Sequence, residues 1–168
     1  MNANGPADTD DVANAPTRDP HDHHAGLWTT LVQRADAVTA TIDFDHENMQ
    51  ARSALVDFLR SDVLAHLETE ERVLYAAARE AGAHSLVAAL ELDHRRLLDL
   101  VEQIEKTGDG LEAALLTRAL VVLFALRMEK EDTIVLPTLT DAGVDVSALL
   151  DRMVVQMATD YDSHFTYF

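Results

Sequence analysis

His66 and Glu70 stand four residues apart in the segment His66-Leu67-Glu68-Thr69-Glu70-Glu71. On a helix that spacing projects an imidazole and a carboxylate from one face, one turn apart. The same face carries Leu55, Phe58, Leu59, Val63, Val73, Leu74 and Ala77, so the pair points into a core. Buried charge is costly unless it is paired or bound to metal, and the two side chains therefore call for a partner. A second segment, Arg127-Met128-Glu129-Lys130-Glu131-Asp132, repeats the pattern with an arginine in the histidine's place.

Two further apolar stripes carry a histidine. His94 lies three positions before Leu97, four before Leu98 and seven before Val101; His24 stands in the same relation to Leu27, Trp28 and Leu31. His23, four before Leu27, competes with His24 for the inward position. On the last long stripe Leu116, Leu120, Leu123 and Phe124 lead to Arg127, Glu131 and Ile134. The candidate ligands are thus His24 or His23, His66, Glu70, His94 and Glu131. Imidazoles and carboxylates from facing helices suit iron, manganese or zinc inside a bundle. Cysteine is absent, which excludes iron–sulfur clusters, thiolate sites and disulfides. His46 falls twenty residues before His66, about 30 Å along a continuous helix at 1.5 Å per residue, too far to join them. His21, His84 and His164 are expected at the surface, and Met49, Met128, Met153 and Met157 as core filler.

The elements that must position these groups are helices. Apolar residues make up 48% of the 168 and aromatics only 5%, with Ala and Leu dominant, a composition that favours helix over sheet. Residues 1–20, acidic and broken by Pro6, Pro16 and Pro20, are expected to form a flexible tail. The remaining 21–168 form one domain. Helices are predicted over about 22–42, 47–81 (with Asp45 as N-cap and Gly82 as the stop), 83–106 and 111–136, where Pro137 interrupts the pattern, and over a shorter stretch, 145–159. Short connections predict an all-α, antiparallel up-down four-helix bundle with a short fifth C-terminal helix. The net charge of −17 argues against nucleic acid or an anionic membrane as partner. No apolar run reaches membrane-span length and no signal peptide opens the chain, so a cytoplasmic location is expected. The motifs that carry chemistry imply no particular oligomeric state.

The ordered set resembles the hemerythrin-like domains, the HHE cation-binding family. That family places one His on helix one, His-x-x-x-Glu on helix two, one His on helix three and a second His-x-x-x-Glu on helix four. His24, His66 with Glu70, and His94 match in order, and the run His66 to Tyr75 is similar in context, as are Glu131, Asp132 and the apolar run to Leu136-Pro137. The resemblance covers about residues 22–140. It implies non-haem iron, as a di-iron or mono-iron site held by His24, His66, Glu70, His94 and Glu131, handling dioxygen, peroxide or nitric oxide. Any catalysis would be that of an iron- or haem-dependent oxidoreductase. Arg127 departs from the pattern, because a guanidinium stays protonated and does not ligate metal. It could instead stabilise a bound anion from beside the metal. Two other readings stand: haem b, with His24, His66 or His94 axial and Arg127 facing a propionate, and a metal-free interaction module. A free imidazole titrates near pH 6.5, which predicts that acid weakens metal binding.

Overall fold

The computed structural model describes residues 20–165, with side chains described for 24–159. The expected tail lies outside these residues except for Pro20, and so do the side chains of His21, His23 and His164. Among the described residues there are five helices and no strand. Helix α1 is Pro20–Ala40. Helix α2 runs over 45–80, its α-helical parts Asp45–Phe58, Leu64–Glu70 and Ala76–Glu80 joined through π turns at Leu59–Val63 and Glu71–Tyr75. Helix α3 is His84–Lys106. Helix α4 runs over 110–141, as Gly110–Lys130, a π turn at Glu131–Val135, and Leu136–Asp141. Helix α5 is Val146–Phe165.

Helices α1 to α4 contact one another as a ring, α1 on α2, α2 on α3, α3 on α4 and α4 on α1, which makes the expected up-down bundle. Helix α5 lies across α2 at 64–75 and touches the last turns of α4. The connections are tight. Gly82, at φ 86, takes the left-handed conformation that ends α2. A Cβ on Gly110 would stand 2.7 Å from the Ile42 carbonyl oxygen, so only glycine lets α4 start against the α1–α2 turn. Asp109 caps α4 by accepting from the Glu112 amide at 2.7 Å.

Several local expectations are corrected. The residue capping α2 is Phe44, without a side-chain bond, while Asp45 sits in the first turn, where its charge still suits the helix dipole. Pro137 does not interrupt α4; it falls in the first positions of its last α-helical segment, just after the π turn has displaced the i−4 carbonyls that a proline ring would strike. Met49 is exposed rather than core, as are Leu98 and Ile134. The π turn accounts for Ile134, because its wider winding turns Val135 inward instead.

Two apolar clusters fill the bundle. One is built on Leu31, Leu55, Leu59, Leu97, Leu120 and Phe124, the other on Leu74, Ala78, Leu90, Val135, Leu139 and Leu149. Between them lies a buried polar layer of His66, Glu70, His94, Arg127 and Glu131, joined by Tyr75.

Candidate metal centre

Three side chains converge at the α5 side of this layer. His24 Nε2 is 3.0 Å from His66 Nε2 and 3.4 Å from Glu70 Oε1, and His66 Nε2 is 2.6 Å from Glu70 Oε1. Their ligand atoms all lie within 4.8 Å of one another. Adjacent ligands on a metal with bonds of about 2.1 Å stand roughly 3.0–3.4 Å apart, so the trio fits a single ion with small adjustment. The donor chemistry fits as well. Burial above all lowers the pKa of His24, and it holds His66 down at about 3, with His24 and Arg127 adding to the shift. Both rings are therefore neutral at pH 7, with lone pairs to donate.

The other half of the layer is organised differently. Arg127, fully buried, donates through Nε to His94 Nε2 at 2.6 Å. Its Nη2 bonds Glu70 Oε2, lies 2.6 Å from Glu131 Oε1 and 3.2 Å from the Tyr75 hydroxyl. Since His94 Nε2 accepts, its proton sits on Nδ1, which donates to Glu71 Oε1 at 2.5 Å. Tyr75 donates to Glu131 Oε1 at 2.9 Å. Burial first, and Glu131 second, push the phenol's pKa up, so this proton stays on Tyr75. Arg127 is lowered to about 10 by burial, against the pull of Glu131, and keeps its charge at pH 7.

Of the five sequence-nominated ligands, the structure gathers His24, His66 and Glu70. His94 and Glu131 meet Arg127 instead. Glu131 nevertheless reaches both halves: with His24, His66 and Glu70 it lines a cavity of about 40 Å³ closed by Leu150, Met153 and Met157 of α5. Its Oε2 is buried without a hydrogen-bond partner among the described residues, as is Arg127 Nη1. His46, exposed and bonded to Gln50, is no part of the layer.

Three participants were not nominated by the sequence. Tyr75 lies five residues after Glu70, a spacing that turns it away on an α-helix but brings it inward through the π turn of Glu71–Tyr75. Glu71 reads as a surface acid. Met157 is not simple filler, since its Sδ stands 3.3 Å from His66 Nδ1, on the side of the ring away from the trio.

Residues 17–139 match the family described as Hemerythrin HHE cation binding domain. No curated protein and no solved structure matches the chain. The match spans all four bundle helices nearly to the end of α4, and so takes in every residue of the polar layer. This chain belongs to the hemerythrin HHE cation-binding family.

Proposed function

We propose that the chain holds one non-haem iron at His24, His66 and Glu70 and exposes it to a small oxygen or nitrogen ligand such as dioxygen, peroxide or nitric oxide. The observation that carries this reading is the split of the polar layer. Three neutralised or anionic donors converge on one point, whereas His94 Nε2 is occupied by Arg127. Two imidazoles with one carboxylate form the donor set of non-haem iron sites that keep coordination positions open. When bound, the iron supplies an electrophilic open position for the small ligand.

The protein's own groups have distinct tasks. Glu70 offers Oε1 to the ion while Arg127 holds Oε2, which fixes the carboxylate's orientation. Glu131 is pinned through Oε1 by Tyr75 and Arg127, leaving Oε2 without a partner among the described residues. The residue lines the cavity, where Oε2 would accept a proton or hydrogen bond from a protonated ligand such as peroxide or from a bound water. Leu74, Leu136 and the α5 side chains give the cavity a mainly apolar wall, which would limit access of water to a bound ion. A cavity of about 40 Å³ admits something the size of a water or diatomic and no porphyrin, which favours non-haem iron over the haem reading.

The test is to load the chain anaerobically with ferrous iron and titrate it with nitric oxide, then separately with dioxygen and peroxide, following absorption and electron paramagnetic resonance. We expect a spectral response that saturates at one equivalent per chain and is lost in His66→Ala. Iron that binds but responds to none of the three would leave a structural or storage site and refute the reading.

A further inference from the structure

The outward face of α4 is apolar where solvent should favour charge. Leu111, Leu115, Val122 and Leu126 are 56%, 63%, 68% and 45% exposed. At about 100° per residue they fall, together with exposed Ala119, on one narrow stripe opposite the buried Leu120 and Phe124. A helix that is apolar on all sides is ordinarily covered on all sides, and a contiguous exposed stripe marks an interaction surface.

We propose that this stripe binds the same stripe of a second copy, α4 packing antiparallel on α4 about a two-fold axis. Its spacing is symmetric: Leu111 and Leu126 lie equally far from the midpoint between Arg118 and Ala119, and so do Leu115 and Val122. Antiparallel pairing therefore lays Leu115 on Val122 of the partner subunit and Leu111 on Leu126 of the partner subunit, the self-complementarity that a two-fold contact requires.

Charge selects the same occupant. The sequence holds 30 acidic residues and a net charge of −17, yet residues 113–128 contain none, the longest acid-free stretch in the chain. Two copies repel each other least where that stretch meets itself. The cation at the midpoint, Arg118, is already paired with Asp36 of its own α1 at 2.8 Å, so the axis brings ion pairs together rather than bare guanidinium groups. Residues 1–19 offer only Met1 and Val12 as large apolar side chains, too few to cover the stripe from within. A single helix pair falls short of the roughly 1,600 Å² of a standard interface, which makes the dimer a weak one, dissociating at about micromolar concentration.

The absence of cysteine permits a direct test. Sedimentation velocity on the full chain should show a monomer–dimer equilibrium, and Leu115→Glu, a surface change whose fold is checked by circular dichroism, should be monomeric. Under mild oxidation, mixed Leu115→Cys and Val122→Cys chains should crosslink, whereas Leu115→Cys alone should crosslink poorly, because the axis holds its two copies about two helical turns apart. A wild-type chain that stays monomeric at hundreds of micromolar would overturn the proposal. So would a dimer indifferent to Leu115→Glu, or Leu115→Cys crosslinking with itself as readily as with Val122→Cys. None of these outcomes depends on bound iron.

Discussion

Arg127 donates through Nε to His94 Nε2 at 2.6 Å, so the guanidinium takes the lone pair that would otherwise face a metal. Its other contacts run to Glu70 and Glu131, and one fixed positive charge thereby serves two buried carboxylates. With neutral imidazoles the layer carries Glu70, Glu131 and Arg127 as its charges. One divalent ion offsets the remaining anionic charge, whereas a second would meet a cation already in place.

Replacing Arg127 by His should free His94, release the second oxygen of Glu70 and add an imidazole one turn before Glu131. We expect metal content to rise toward two ions per chain. An unchanged content would mean that His94 and Glu131 cannot rearrange around an ion.

Arg127→Leu removes the cation and supplies no ligand. Two buried carboxylates then lose their partner, a loss that typically costs about 3–5 kcal/mol, so the metal-free variant should unfold at much lower denaturant. Added divalent metal should restore part of that stability. A midpoint within error of the wild type would show that the pairs contribute nothing net.

The general architecture was legible in the sequence because it rests on apolar periodicity, which tertiary packing reinforces: Leu31, Leu55, Leu90, Leu97 and Leu120 all fall inside as their spacing requires. The inward turn of His66, Glu70, His94, Arg127 and Glu131 came from the same periodicity. The regular period of an α-helix could not show the change of winding beside Glu70 and at Glu131. Both helices widen into a π turn there, a feature found often at functional sites, and this turn moves Tyr75 and Val135 in and Ile134 out. The sequence also could not tell that Arg127 would bond His94, since a guanidinium on an inward stripe can reach several acceptors and only packing selects among them.

Tyr75→Phe deletes the hydroxyl that donates to Glu131 and accepts from Arg127 while leaving the ring in place. We expect a loss of about 1–3 kcal/mol, the usual cost of leaving buried groups unpaired, measured by urea denaturation of the metal-free chain. Metal content should remain at the wild-type level, because Tyr75 touches none of the converging trio. Loss of metal in this variant would place the ion on the Arg127 side of the layer.

The pH behaviour differs from what free imidazole predicts. Burial holds the pKa of His66 at about 3 and lowers that of His24 as well, so in the folded chain protons compete less for these rings than for free imidazoles. Metal affinity should therefore fall less between pH 7.5 and 5.5 than free imidazoles would require. Stability should depend on pH: once the pH falls below about 6.5 the unfolded chain binds more protons at these histidines than the native chain does, so unfolding becomes easier as the pH falls, for His66 down to about 3. Thermal unfolding of the metal-free protein from pH 7 to 5 should show a falling midpoint, and His66→Gln should flatten the fall. A midpoint independent of pH would mean that the rings are not buried neutral.

His66→Ala and Glu70→Ala should each strip most of the bound metal, to roughly a tenth or less of the wild-type content, since each opens the coordination sphere itself and not merely its support. His46→Ala, on the exposed first turn of α2, should leave it unchanged. Retention of metal by either of the first two variants would remove α2 from the site.

The most direct measurement is the number of iron atoms per chain in wild-type protein produced with ample iron, by elemental analysis against an amino-acid-based protein concentration. A single ion at His24, His66 and Glu70, with Arg127 filling the place beside it, requires a value close to one. A value close to two would show that Arg127 yields its position to a metal, and a value near zero that the converging trio holds none; either would contradict a one-iron centre.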